Sequence, residues 1–97
     1  MPKEIEDVLA ARPEISQVFA IGLPDERWGE IGCVVVVPVA GAALTEADVL
    51  SVCRAKLARF KIPKRVVFYR ADDLPTTATG KVQKFRLVQQ LTASSPF

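Results

Sequence analysis

The residues of this sequence best placed to do chemistry lie in LPTTATGKVQKF, Leu74 to Phe85, where Gly80 and Lys81 follow a proline and three threonines. Pro75 stiffens one end of the loop, Gly80 permits a tight or left-handed turn, and the hydroxyls of Thr76, Thr77 and Thr79 can bond to the loop's own backbone. A loop built this way presents one ammonium group, that of Lys81, reproducibly. At ~4 Å from an anionic oxygen and an effective dielectric of about 20, a unit charge pair is worth ~4 kcal/mol, enough to stabilise a transition state where water is excluded. The segment is not a P-loop, because Pro75 stands where that motif needs its first glycine and Val82 where it needs Ser or Thr. A lysine before a helix is also an ordinary solvated charge. A chain of 97 residues has no dry pocket to give it, so the chemistry requires this loop to enter a site on another domain.

A second group pairs aromatic faces with cations. Trp28 lies in the turn-like PDERWGE, and Phe60 sits among Arg59, Lys61, Lys64 and Arg65 in RFKIPKR. Flat rings with nearby cations can stack a nucleobase and hold its phosphates. The plainer reading is that Trp28 covers the sheet edge and Phe60 completes a helix's apolar face. RNA or single-stranded DNA is the weaker ligand class, since no KH, RRM or helix-turn-helix signature is present.

Composition narrows the chemistry further. Two cysteines, Cys33 and Cys53, and no histidine remove Cys/His zinc sites, Ser-His and Cys-His nucleophile pairs and CxxC redox chemistry, so no metal site is expected. Both cysteines stand in apolar segments and read as buried free thiols in a reducing compartment. The longest apolar stretch, IGCVVVVPVAGAAL, is broken by Pro38 and Gly41 and is shorter than the ~20 residues of a spanning helix. The acidic PKEIEDVL at the front is unlike a signal or transit peptide. A cytoplasmic protein that does not enter the membrane is expected. Net charge is +2, but residues 1–53 hold 3 basic and 9 acidic side chains, against 10 basic and 2 acidic in residues 54–97. The basic half either faces phosphate, carboxylate or nucleic acid, or the two halves attract each other.

The elements that must position these residues follow from periodicity. Ile5, Val8 and Leu9 mark a short helix from Lys3 to Ala11 closed by Pro13, and Gln17–Leu23 and Ile31–Val37 read as antiparallel strands around the turn. Thr45 and Asp48 form a capping-box pattern opening a helix from about Glu46 to Arg59, with Val49, Leu50, Cys53, Leu57 and Phe60 on one face. Arg65–Tyr69 is a third strand, and Val82, Phe85, Val88 and Leu91 at three-residue steps mark a closing helix before a frayed tail, TASSPF. The result is one small α+β domain over residues 1–97, with an about three-stranded, mainly antiparallel sheet packed by helices.

Four segments, PKEIEDVL, GLPDERWGE, LARFKIPKRVVF and LPTTATGKVQKFRL, together span nearly the whole chain in register. In them the sequence resembles the small C-terminal domain of adenylate-forming enzymes, the superfamily of acyl- and aryl-CoA synthetases, luciferases and peptide-synthetase adenylation domains. The last segment is the specific one, and the closing LVQQL is similar to the aryl-CoA ligases. The resemblance implies a two-step reaction: a carboxylate attacks the α-phosphate of ATP, with Mg2+, to give an acyl-adenylate and pyrophosphate, and the thiol of CoA then displaces AMP. It assigns Lys81 the adenylation role on a turn shaped by Pro75, Thr77, Thr79 and Gly80, and places Trp28, Phe60 and Lys64 near the CoA nucleotide. The partner it implies is a large N-terminal ATP-binding domain. The sequence departs from the pattern at Ile62, where a basic CoA contact is usual, and at Met1-Pro2, ahead of which the family has its hinge and a glycine-containing loop. The chain is therefore read as an excised lid of a fatty-acid or aromatic-acid ligase, inactive in adenylation alone. The alternative is a free-standing, non-catalytic interaction module reusing the fold. Acylation of Lys81, which removes its charge, is a possible control of the first step.

Overall fold

Glu6 and Ala20 set how the first helix meets the sheet. In the computed structural model, which describes residues 2–93, helix α1 (Pro2–Ala10) lies along strand β1 (Ile15–Asp25). There the Glu6 carboxylate accepts the edge-facing N–H of Ala20 at 2.8 Å. An edge strand offers unpaired backbone groups, and here one is closed by a side chain from α1. Strand β2 (Gly29–Pro38) pairs antiparallel with β1, Phe19 opposite Val35 and Ile21 opposite Cys33.

The apolar run of β2 explains the layering. Val34 and Val36 point to one side with Leu9, Val18, Val49, Cys53 and Leu57, while Cys33, Val35 and Val37 point to the other with Ile21, Leu23, Leu74, Leu87 and Leu91. A strand buried on both faces has no polar alternation to show. The first face is covered by α1 and α2 (Glu46–Lys56), the second by α3 (Lys84–Ala93) and the loop before it. Both thiols are free and buried, and burial raises that of Cys33 to about 11, which keeps it protonated and unreactive.

The third strand, β3 (Arg65–Phe68), joins β2 in parallel, Cys33 opposite Arg65 and Val36 opposite Phe68. The sheet is thus mixed: the long pairing is antiparallel as expected, and the short one is parallel because α2 carries the chain back to the same end. That return also ends α2 early. Its capping box forms, Asp48 N–H to Thr45 Oγ1 at 3.1 Å and Thr45 N–H to Asp48 Oδ2 at 2.9 Å. The helix stops at Lys56, however, with Leu57 extended, instead of reaching Arg59. To put Lys64 N–H on the Gly32 carbonyl at 2.9 Å, the chain must leave the helix and turn through Arg59–Lys61 as a short 3₁₀ segment. Phe60 therefore does not complete the helix face, and is 85% exposed.

The closing helix differs in phase from the expectation. It begins at Lys84, so Val82 lies outside it, and its buried positions are Leu87 and Leu91 with Val88 partly covered. Phe85 is 61% exposed. Three-residue steps fall short of a helical turn by about 60° each, so Phe85 drifts off the face that Leu91 occupies. Thr92 and Ala93, expected to begin a frayed tail, still belong to α3, and the rest of that tail, from Ser94 onward, lies outside the described residues. Among the described residues no helix is long and apolar enough to cross a membrane.

Two measurements check this packing. Leu87→Ala should lower unfolding free energy by about 2–5 kcal/mol, while Phe85→Ala stays within about 0.5 kcal/mol of the parent in urea denaturation. The Lys61 ammonium holds the Glu4 carboxyl below its ordinary 4.5, and the Thr45 backbone N–H holds Asp48 below its ordinary 3.8. Both groups bind fewer protons folded than unfolded. The stability they contribute is present above those ordinary values and is lost as pH falls through the lowered folded values. The urea midpoint should decline in that acid window, less steeply in Lys61→Met.

Candidate functional site

The loop before α3 is a miniature hairpin. Thr76 bridges Val82 antiparallel, and Thr77 N–H donates to the Lys81 carbonyl at 2.8 Å. Gly80 N–H returns to the Thr77 carbonyl at 2.9 Å, and Gln83 N–H closes the base on the Pro75 carbonyl at 2.9 Å. Thr77 Oγ1 accepts the Lys81 N–H at 3.1 Å and lies 3.1 Å from Thr79 Oγ1. Of the three hydroxyls, Thr77 is the one bonded to backbone. Gly80 has φ +89°, a conformation that strains any residue with a Cβ. Leu74 is buried below, anchoring the hairpin on the α3 face of the sheet. The Lys81 side chain is exposed and forms no ion pair among the described residues. Its backbone is fixed and its ammonium is free.

The aromatic residues gather elsewhere, against the face that α1 covers. Asp25 Oδ2 accepts the N–H groups of Arg27 at 3.0 Å and Trp28 at 2.8 Å, which fixes the turn between β1 and β2. An aspartate in a turn is of the type that caps its own backbone, and here the bond extends to the residue that carries the indole. Lys64 Nζ stands 4.7 Å from the Trp28 ring centroid and the Arg27 guanidinium 5.1 Å from it, both within cation–π range. Lys61 Nζ lies 5.6 Å from the Phe60 ring centroid. Phe60, Lys61 and Lys64 share the wall of a cleft of about 370 Å³ with Pro2, Ile5, Gly22 and Glu30. Trp28 remains 58% exposed, so neither aromatic is spent on the core. Ile62, where the resemblance expects a basic contact, is partly buried in the α1–α2 core instead.

Glu30 is the residue the sequence did not reveal. Its carboxyl carbon sits only 2.5 Å from where a Cβ on Gly22 would be, so the carboxylate occupies the space a side chain would take. This explains a glycine in mid-strand with no turn to make. The two are eight residues apart, and only the β1–β2 register, which sets Gly22 opposite Gly32 and Glu30 opposite Pro24, brings them together.

Both sites border α1. Lys61 Nζ is 2.7 Å from Glu4 Oε1 on the cleft side, and Lys84 Nζ is 2.7 Å from Glu6 Oε2 on the hairpin side. Part of the basic second half is therefore neutralised by the acidic first half, while Lys64 and Lys81 are not in any of these pairs.

Comparison with known proteins accounts for this combination. Residues 4–81 match the family model described as the AMP-binding enzyme C-terminal domain. The chain belongs to that family, the small domain of the adenylate-forming superfamily that includes acyl- and aryl-CoA synthetases. It is 47% identical to an indoleacetate–CoA ligase of Aromatoleum aromaticum over 99% of its own length, which is 18% of that protein. It is also 47% identical to an oxalate–CoA ligase of Arabidopsis thaliana, over 92% of this chain and 17% of the relative. Its fold superposes on the solved Mycobacterium tuberculosis fatty acyl CoA synthetase with a TM-score of 0.85 and 41% identity, covering 98% of this chain and 18% of that one. The chain thus spans less than a fifth of the length of these relatives.

Trp28 is the single tryptophan, which makes the turn directly observable. Asp25→Ala should shift Trp28 emission and raise its quenching by acrylamide, with little change in the far-ultraviolet circular dichroism. An unaltered emission spectrum and quenching constant would show that the Asp25 hydrogen bonds do not hold the indole.

Proposed function

We propose that this chain is the mobile C-terminal lid of an ATP-dependent acyl- or aryl-CoA ligase, and that Lys81 is its adenylation residue. The observation that carries the reading is the hairpin: a backbone locked by reciprocal Thr77–Lys81 bonds presents an unpaired ammonium to solvent. A domain with no dry pocket around that group has use for it only inside a partner domain. The relatives, CoA ligases in which a match to this chain fills less than a fifth of the length, supply such a partner in the large N-terminal, ATP-binding part of the same polypeptide.

In the first step a carboxylate oxygen of the acid bonds to the α-phosphorus of ATP, and the bond to the bridging oxygen breaks, releasing pyrophosphate. Negative charge builds on the phosphoryl oxygens and on the departing bridging oxygen, while the carboxylate gives up its own as the new bond forms. Lys81 meets the growing charge with a positioned positive one, a role of orientation and electrostatics rather than proton transfer. Mg2+ belongs to the ATP and is held by the large domain. In the second step the CoA sulfur bonds to the acyl carbon and AMP leaves.

The second step uses the other face. Phe60 and Lys64 line an open cleft, and the Trp28 ring stands against Lys64 beside it; their chemistry fits an adenine nucleotide, with two exposed rings for the base and ammonium groups for phosphate. The hairpin rests on the α3 face of the sheet and the cleft on the α1–α2 face. A domain with its two functional groups on opposite faces must turn to offer each in succession. Relatives that act on acids as different as oxalate and indoleacetate share this domain, so acid choice is assigned to the large domain.

In the parent polypeptide, Lys81→Ala should abolish acid-dependent ATP–pyrophosphate exchange, by about a hundredfold or more, while thioester formation from pre-made acyl-adenylate is largely kept. Exchange at the parent rate in Lys81→Ala would refute the assignment. The isolated 97-residue chain should show no exchange at all.

A further inference from the structure

Lys84 is placed against the usual electrostatics of a helix. It is the first residue of α3, whose first turn contains no acidic side chain, and a cation there opposes the positive end of the helix dipole. The compensation comes from another element. Lys84 Nζ is 2.7 Å from Glu6 Oε2, and the same oxygen accepts the Ala20 N–H at 2.8 Å. The Glu6 side chain is 25% exposed, the least of any partner in the four ion pairs found among the described residues. Its carboxylate is held by the edge of the sheet and in turn holds the start of α3.

From Lys84 the connection to Lys81 is short and stiff. Gln83 N–H is bonded to Pro75, Val82 bridges Thr76, and Lys81 is bonded in both directions to Thr77. Each residue from Lys81 to Gln83 is tied by its backbone to the Pro75–Thr77 side of the hairpin, so the backbone that carries Lys81 is held right up to Lys84. Resting on the functional reading above, we infer that Lys84 and Glu6 are positioning residues for adenylation: the Glu6–Lys84 clamp fixes the base of the hairpin to β1 and so sets where Lys81 arrives in the large domain. The clamp lies on the hairpin side of α1. Neither residue lines the Phe60–Lys64 cleft or touches the Trp28 ring beside it, and α1 has its own tie to that side through Glu4 and Lys61.

The test uses the full-length parent polypeptide with Lys84→Met, Lys84→Arg, Glu6→Gln and Lys81→Ala, each checked for unchanged thermal unfolding. Acid-dependent ATP–pyrophosphate exchange and thioester formation from pre-made acyl-adenylate are measured side by side. Lys84→Met and Glu6→Gln should each lower kcat for exchange by about tenfold with KM for ATP little changed, as expected for misplacement of a catalytic group. Thioester formation should stay within about twofold of the parent. Lys84→Arg should restore most of the exchange, and the Lys84→Met/Glu6→Gln double variant should be no worse than either single one, because both remove the same contact.

Exchange at the parent rate in Lys84→Met and Glu6→Gln overturns the inference, as does an equal loss in both half-reactions. If Lys84→Met does not fold, Glu6→Gln and Lys84→Arg give the same decision, since the glutamine amide oxygen can still accept the Ala20 N–H. Lys81→Ala separates the two levels of the reading. Exchange lost in Lys81→Ala but intact in the clamp variants removes only the clamp, whereas exchange intact in Lys81→Ala removes the adenylation reading itself.

Discussion

The structure depends on how α1 is held at the open edge of β1. The Glu6 carboxylate accepts the Ala20 N–H and meets Lys84, and Glu4, two residues earlier and so roughly on the opposite side of α1, meets Lys61 on the cleft side. A backbone N–H at an unpaired edge costs free energy if it is covered by an apolar helix without a partner. Satisfying it with a carboxylate places a negative charge at the edge, and that charge organises lysines brought from the second half of the chain. Exposed ion pairs contribute little to stability taken singly. Their effect here is geometric, because each joins α1 to a segment that carries a candidate site residue.

Around that edge, the sheet separates two surfaces. β2 is buried on both sides, so helices must cover both faces, and the residues that project past those helices belong to different sides of the molecule. On one side the 3₁₀ segment at Arg59–Lys61 brings Phe60 and Lys64 to a cleft, and the Asp25 turn sets Trp28 beside Lys64. On the other, the hairpin from Thr76 to Val82 presents Lys81. A domain this small cannot enclose a reaction. It can carry two prefabricated pieces of a site and present them to a larger partner by rotation, which is what the functional reading requires of it.

The exposed aromatics have a structural origin as well as a functional reading. Phe60 leaves the core because α2 must end at Lys56 for Lys64 to reach Gly32 and start the parallel pairing of β3. The requirement of sheet register outweighs the apolar match that would have buried the ring on the helix. Glu30 lies over Gly22 for a related reason, since antiparallel register brings the two into contact across the turn.

The local patterns of the sequence determined a good deal: the capping box at Thr45, the strands of β-branched residues, the turn at PDERWGE, the end of the first helix ahead of Pro13, and the Pro75-to-Lys81 turn with its left-handed glycine. Each depends on residues within a few positions of one another, where propensity and hydrogen bonding act without help from the rest of the fold. The same motifs were enough to carry the resemblance to adenylate-forming enzymes. Only the tertiary structure decided the parallel direction of β3, the early end of α2, the burial of Leu87 rather than Phe85, the Glu30–Gly22 contact and the Glu6–Lys84 clamp. These join residues brought together by sheet register and helix packing; Glu6 and Lys84 are 78 positions apart in the sequence. Their energies arise between segments, and no periodicity within a single segment records them.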